Sequence, residues 1–207
     1  MPDFMSVKRA RIILLLFVAA SLFACKQDKE TVSKRNWAEP GVPAQLVAER
    51  ESLNSNYDQL EDLLRRKPMA TTEAEKKDIS DYLQAIDNYA SYRASENAKQ
   101  GKKYMAAAYH ELAIVAAEAE YGDHIYVAIG YNNLANAYDE IDLPDKAIVS
   151  YQKALKVYEK LVNEEKNELI TLKNAIALCK RENRETEFIS LQERKRILLE
   201  KMSGSGK

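Results

Sequence analysis

From residue 43 onward, apolar residues recur every three or four positions, which is the spacing of one face of an α-helix. Proline and glycine punctuate this pattern at a few points and divide it into consecutive helical segments. The pattern predicts helices over about 43–68, 72–101, 103–121, 124–141, 145–164, 167–180 and 185–202.

Local signals support the first two of these helices. Pro43 suits a first helical turn, and Pro68 ends the first helix. Thr72 is followed three residues later by Glu75, the spacing of a capping box. The predicted apolar faces comprise Leu46, Leu53, Tyr57, Leu60 and Leu64 in the first helix, and Ile79, Tyr82, Leu83, Ile86, Tyr89 and Ala90 in the second.

The first 24 residues follow a different pattern. Three basic residues, Lys8, Arg9 and Arg11, precede an apolar run from Ile12 to Ala20. The run is too short to span a membrane, which takes about 20 apolar residues. A basic start, a short apolar run and a small residue before a cleavage point are the parts of a secretory signal. We therefore predict a signal peptide over residues 1–24.

The end of that segment, Leu22-Phe23-Ala24-Cys25, resembles the bacterial lipobox, although Phe23 departs from the usual residue at its position. The resemblance implies cleavage before Cys25, a thioether-linked diacylglycerol on its sulfur and an acyl chain on its new amino group. Two or more chains hold a protein stably on a membrane. The alternative is an ordinary signal peptide with a cysteine beside its cleavage site.

Residues 25–42 are polar and contain Pro40 and Gly41, so we interpret them as a flexible tether. Trp37 either touches the membrane interface or packs on the first helix, and packing is favoured. Lys26 follows the lipidated cysteine. Gram-negative lipoproteins kept in the inner membrane commonly carry Asp there, so the resemblance implies the outer membrane, facing the periplasm. A Gram-positive source would change that location.

Composition fits an all-helical protein, because glycine and proline are scarce and helix-favouring residues are abundant. The chain has 31 basic and 32 acidic residues, and removal of 1–24 takes away three basic and one acidic residue, leaving a net charge of −3. That balance provides no basic stripe for nucleic acid. Residues 203–207 are rich in glycine and serine and form a predicted disordered tail.

No arrangement of residues predicts an enzyme. His110 and His124 lack the neighbours of a metal site, and no nucleophile motif or phosphate loop is present. We expect no catalytic residue, no metal and no cofactor. His124 is expected to cap a helix. With Cys25 lipidated, Cys179 has no disulfide partner and is expected to be a buried, inert thiol.

Residues 128–161 carry a sparse set of residue sizes at fixed spacing, namely Tyr131, Leu134, Ala135, Tyr138, Ala147, Tyr151 and Ala154. This set resembles the 34-residue tetratricopeptide repeat, a pair of antiparallel helices. In such a pair, Ala135 and Ala147 are small so that the helices can approach closely. The implied fold is all-α, a short superhelix of antiparallel helix hairpins over residues 43–202.

Glu159 stands where the family has its final proline, which favours continuation of that helix for about two turns. The resemblance is therefore to the longer repeat seen in kinesin light chains, with a period near 42. An earlier repeat is degenerate, and a later one aligns at an offset of 41, with Cys179 at the position of Tyr138. Arrays of this kind need about three units to bury a continuous core.

Repeat arrays present a concave surface to partner peptides, lined by the first helix of each pair. The alignment places five residues there, and we interpret them as a partner-binding groove: Asn132, Asn136, Asp139, Lys173 and Lys180. Amides can bond an extended peptide backbone, and lysine can meet an acidic group. Simple solvation of these side chains is the alternative. Relatives that bind chaperone tails form a carboxylate clamp that also uses Lys and Asn in the first repeat. Ala90 and Ala94 align at those positions here, so a full clamp is not supported.

The resemblances together imply a membrane-anchored scaffold or adaptor that binds an envelope protein or peptide. The alternative is a helical accessory subunit buried permanently in one envelope complex. Similar lipoproteins serve outer-membrane protein assembly, pilus secretin assembly or control of cell-wall hydrolases, and the sequence does not choose among them.

Overall fold

The protein is described by a computed structural model that covers residues 37–204. The predicted signal peptide, Cys25 and the tether up to residue 36 lie outside the described residues. The helices are α1 (Ala44–Ser52), α2 (Asn54–Arg66), α3 (Glu73–Lys99), α4 (Lys103–Tyr121), α5 (Ile125–Glu140), α6 (Pro144–Tyr158), α7 (Glu165–Arg181) and α8 (Glu185–Gly204), with a 3₁₀ turn over Lys67–Met69. Residues 37–204 contain no β-strand, and the predicted all-α repeat fold is confirmed.

Three antiparallel hairpins, α3/α4, α5/α6 and α7/α8, follow one another along the chain. Each hairpin turns at a residue with left-handed backbone geometry: Gly101, Asp142 and Asn183, with φ of 74°, 59° and 54°. These residues are 41 positions apart. Short-chain polar residues tolerate this conformation better than other non-glycine residues do.

The three turns also share one hydrogen-bonding pattern. The amide of Lys102 donates to the carbonyl of Asn97 at 2.9 Å, that of Leu143 to Tyr138 at 2.9 Å, and that of Arg184 to Cys179 at 2.8 Å. Each bond closes a Schellman motif, which ends a helix by satisfying its last carbonyls. The repeat in the described residues therefore has a period of 41, and Cys179 occupies the position of Tyr138, as predicted.

Small residues bring the paired helices together. Ala135 of α5 and Ala147 of α6 are both completely buried, as expected for a close helix contact. Tyr138 and Tyr151 are also buried and fill the space between neighbouring helices. At the start of α3, Thr72 and Glu75 form the predicted capping box.

The first predicted helix is in fact two helices, because the chain bends at Leu53. α1 packs on α4, whereas α2 packs mainly on α3, so one straight helix could not make both contacts. Leu64 was predicted on the apolar face of the first helix. In α2 it is only partly buried, and Leu63 is the buried leucine instead. In α3, Tyr82 was predicted on the apolar face but is 51% exposed.

The last part of the predicted tether is held against the helices. The indole nitrogen of Trp37 donates to the side-chain oxygen of Asn54 at 3.1 Å. Its ring lies 4.9 Å from that of Tyr57, centroid to centroid, so Trp37 packs as favoured. Glu39 also forms an ion pair with Lys146 of α6 at 2.6 Å. Residues 37–42 are therefore not free tether, because aromatic packing and this ion pair fix them.

α6 ends at Tyr158, and the predicted extension to about residue 164 is wrong. Residues 159–164 form a loop instead, with Asn163 in the left-handed region at φ 63°. Arg194 of α8 donates to the carbonyl of Leu155 at 2.7 Å and so caps the end of α6. At the other end of the domain, α8 includes Ser203 and Gly204, which were predicted as tail.

Candidate functional site

The first helices of the three hairpins present equivalent positions on one face, which we call the inner face. On α5 this face carries Ile129, Asn132, Asn136 and Asp139, and on α7 it carries Ile170, Lys173, Ala177 and Lys180, each 41 residues further on. Spacings of three and four residues place each set on one side of its helix. In tetratricopeptide arrays the corresponding face is concave.

Three amide side chains meet where α5 packs on α7. The Asn174 side-chain nitrogen donates to the side-chain oxygens of Asn132 at 3.4 Å and Asn136 at 3.5 Å. The Tyr151 hydroxyl, from α6, donates to the same Asn136 oxygen at 2.5 Å. All three amides are half-buried. Burial raises the pKa of Tyr151, so the hydroxyl remains a donor.

This amide cluster keeps part of its hydrogen-bonding capacity. Within residues 37–204, no partner occupies the side-chain nitrogens of Asn132 and Asn136 or the side-chain oxygen of Asn174. A primary amide offers two N–H donors and one accepting oxygen. The cluster can therefore donate to the carbonyls, and accept from the N–H groups, of an extended chain.

Asp139, the last predicted residue on α5, is paired with Arg181 of α7. Its second oxygen accepts from the Nη1 of Arg181 at 3.3 Å. Arg181 also bonds Glu182 at 2.9 Å. The negative charge of Asp139 is therefore balanced within the protein, and Asp139 orients α7 on α5.

Lys173 and Lys180 occupy the inner-face positions equivalent to Asn132 and Asp139. Their side chains do not bond those two residues. Both side chains are exposed, and neither has an ion-pair partner among the described residues. The residues that cross to α5 are their neighbours, Asn174 and Arg181. The predicted groove therefore divides into an amide cluster at the α5/α7 contact and two solvated cations beside it.

Sequence reasoning missed Asn174 and Arg181, because a helix contact depends on side-chain direction as well as alignment. It also missed Ile129 and Ile170, which are 37% and 52% exposed on the same face. The 41-residue spacing of these two isoleucines was the signal that could have revealed them.

The clamp comparison was made at the wrong residues of α3. Ala90 and Ala94 are completely buried, because they pack inside the first hairpin. The positions 41 residues before Asn132 and Asn136 are Ser91 and Ser95, which are exposed. Neither is the Lys or Asn that a full clamp uses, and the conclusion that a full clamp is unsupported still holds.

The remaining candidate residues have structural contacts. The Nδ1 of His124 accepts from the amide of Tyr126 at 3.3 Å, so His124 caps α5 as predicted. Cys179 is a buried free thiol, and burial raises its pKa. Within residues 37–204, no three His, Cys, Asp or Glu side chains are grouped as metal ligands would be. None of the described helices is long and apolar enough to cross a bilayer.

Comparison with known proteins places the repeat where the hairpins lie. Residues 90–160, from the second half of α3 to just past α6, match the tetratricopeptide repeat family. No curated protein and no solved structure matches the chain. The family match and the three hairpins with equivalent turns agree, and the chain is therefore a protein that contains tetratricopeptide repeats.

Proposed function

We propose that this protein is a membrane-anchored scaffold or adaptor that binds an envelope protein or peptide through its inner face. Tetratricopeptide repeats typically bind proteins or peptides, and all-helical arrays of this kind typically have no catalytic role. The observation that carries the proposal is the amide cluster of Asn132, Asn136 and Asn174, with its unused donors and acceptor.

The chemistry of the inner face indicates the kind of partner. The amides suit the backbone of an extended segment, because they donate and accept side by side. The neighbouring Lys173 and Lys180 favour an acidic side chain or a terminal carboxylate, and Ile129 and Ile170 offer apolar contact. We therefore expect the partner segment to be extended, acidic and partly apolar.

The anchor is the part of the proposal that rests on sequence alone. The lipobox-like Leu22–Cys25 motif supports lipidation at Cys25, and Lys26 supports the outer membrane, facing the periplasm. The helical domain, which starts at Trp37, would then work close to the membrane surface. The alternative is a permanent subunit of one envelope complex.

An affinity purification from detergent-solubilised envelopes tests the proposal. Lys173→Glu with Lys180→Glu is compared with Lys156→Glu, an exposed lysine on α6 outside the inner face. Loss of the captured protein in the first variant alone supports inner-face binding. Several substoichiometric partners favour an adaptor, whereas one stoichiometric partner favours the subunit. Capture that is equal in both variants contradicts the proposal.

A further inference from the structure

A groove between α6 and α8 is open. Its volume is about 410 Å³, within the range of ligand-binding pockets. The floor is apolar and includes Cys179 of α7, and the walls include Ile148, Gln152 and Leu155 of α6 and Glu187 and Leu191 of α8. We call it the α6/α8 groove.

One repeat earlier, the equivalent positions hold a segment of the protein itself. Gln152, Cys179 and Glu187 correspond, 41 residues back, to Glu111, Tyr138 and Lys146. Glu111 binds Arg50 of α1 and accepts from the Tyr138 hydroxyl at 2.7 Å, and Lys146 binds Glu39. Residues 37–52, a short stretch with a turn at Pro40 and Gly41 followed by a helix, are therefore seated on that earlier groove.

The charges of the two grooves differ in a way that defines the occupant. Where the first groove has the cation Lys146 facing Glu39, the second has the anion Glu187. Glu187 is half-buried and has no ion-pair partner within residues 37–204. The nearby cation Arg194 is already bound to Glu159 and Glu168. A half-buried carboxylate without a partner attracts a cation from outside the chain through their Coulomb energy.

From this we infer that the α6/α8 groove binds a segment of another protein built like residues 37–52. A lysine or arginine in its non-helical first part would lie against Glu187, and the apolar side chains of the amphipathic helix that follows would lie on Leu155 and Leu191. The seating of residues 37–52 on the earlier groove supports a helix as occupant. A second copy of the same segment is disfavoured, because its Glu39 would face Glu187 and its Arg50 would face the neutral Gln152.

None of the inner-face residues named above lines this groove, although Tyr151, which bonds Asn136, does. Substitution of Lys173 and Lys180 should leave it intact, so failure of the proposed inner-face function and failure of this inference are distinguishable.

Two labelled peptides test the inference on the purified full-length protein. Both have the sequence of residues 37–53 with Arg50→Gln, and one also carries Glu39→Lys. Fluorescence anisotropy should show the Glu39→Lys peptide binding at least tenfold more tightly than the other. Glu187→Lys in the protein should reverse that preference, whereas Glu185→Lys, the same charge change outside the groove, should keep it.

The reversal protects the test against a variant that merely unfolds, since an unfolded protein would bind neither peptide selectively. Equal binding of the two peptides, or a preference unchanged by Glu187→Lys, would overturn the inference. Tight binding of the unmodified segment 37–53, or dimerisation of the protein in sedimentation, would also overturn it in favour of a second copy.

Discussion

Arg50 and Glu111 form a two-point ion pair between α1 and α4, although 61 positions separate them in the chain. The Nε and Nη2 of the guanidinium lie 2.6 Å from the two carboxylate oxygens. The side chains are only 4% and 11% exposed. Burial opposes the charge of Arg50, but its bonds to Glu111 outweigh burial and raise its pKa above the ordinary value. This pair fixes the N-terminal helices on the first repeat.

Removal of one partner of this ion pair should therefore lower the free energy of unfolding strongly. Arg50→Met leaves the Glu111 carboxylate buried without its cation, and breaking a buried pair in this way costs about 3–5 kcal/mol of unfolding free energy. Denaturant unfolding measures the loss. Arg50→Met combined with Glu111→Met should recover only part of it. Paired apolar replacements are often neutral, but the buried Tyr138 hydroxyl loses its acceptor, Glu111.

An exposed arginine gives the matched control. Arg65 binds Asp62 on the surface of α2, where the side chains are 73% and 42% exposed. Arg65→Met should cost about 0–1 kcal/mol, as surface ion pairs do. Similar losses for Arg50→Met and Arg65→Met would mean that the buried pair does not hold the N-terminal helices.

The close contact of α5 with α6 predicts a second stability effect. Ala147 is completely buried against α5, so Ala147→Leu inserts side-chain volume where no space exists. Overpacking of this kind costs about 1–3 kcal/mol. The melting temperature should fall by several degrees, since about 2–4 °C corresponds to 1 kcal/mol in a domain of this size. Lys156→Ala, on the exposed side of α6, should leave it unchanged, and equal shifts would contradict the hairpin packing.

Periodicity was sufficient to predict α4, whose bounds at Lys103 and Tyr121 agree with the sequence pattern. It was also sufficient for the size pattern around Ala135 and Ala147, because close helix packing needs small residues at particular positions. The end of α6 was not predictable in this way. The arginine that caps it, Arg194, lies 39 residues beyond Leu155, whose carbonyl it binds, and shows no local signal.

The candidate site was predicted in part for a similar reason. The alignment placed Asn132 and Asn136 on one side of α5, where their side chains both bond Asn174. It could not show that Asn174, rather than Lys173, crosses to them, because that depends on how α7 is rotated against α5. The sequence likewise left two environments open for Trp37, the membrane interface and the first helix. Only its tertiary contact with Tyr57 decides between them.

His110 should make stability depend on pH. Burial lowers its pKa to about 4, so the folded protein holds it neutral. In the unfolded chain its pKa is about 6.5. Between these values the unfolded state binds more protons, so stability present above pH 6.5 is lost as pH falls toward 4. The loss is at most about 3.5 kcal/mol, from about 1.4 kcal/mol for each pKa unit.

The corresponding experiment compares denaturant unfolding at pH 7 and pH 4.5. His110→Tyr introduces the residue found at the equivalent position of the next repeat, Tyr151, and should show a smaller fall in stability than the unchanged protein. Parallel curves for the two proteins would show that His110 does not contribute to the acid sensitivity.

Lipidation at Cys25 can be tested in cells. Cys25→Ser removes the sulfur that would carry the diacylglycerol, so incorporation of labelled palmitate should cease. The protein should then be released from the membrane or remain as an unprocessed precursor, which differ in size on a gel. Membrane retention with unchanged labelling in this variant would contradict the proposed anchor.

The inner face allows binding and stability to be separated by the choice of residue. Lys173 and Lys180 are exposed, so Lys173→Ala with Lys180→Ala should leave the melting temperature unchanged. A hydrogen bond to a charged group contributes about 1.5–3 kcal/mol, and 1.4 kcal/mol is a factor of ten in affinity. The double variant should thus bind the captured envelope partner at least tenfold more weakly in calorimetry.

Asn136→Ala should behave differently, because the side-chain oxygen of Asn136 accepts a hydrogen bond from the Tyr151 hydroxyl. Tyr151 is only 2% exposed. A buried donor left without its acceptor costs about 1–3 kcal/mol, so Asn136→Ala should lower both the melting temperature and the affinity. If the lysine variant binds normally while Asn136→Ala does not, the amide cluster acts through the packing of α5 on α7. The partner would then bind elsewhere on the repeats.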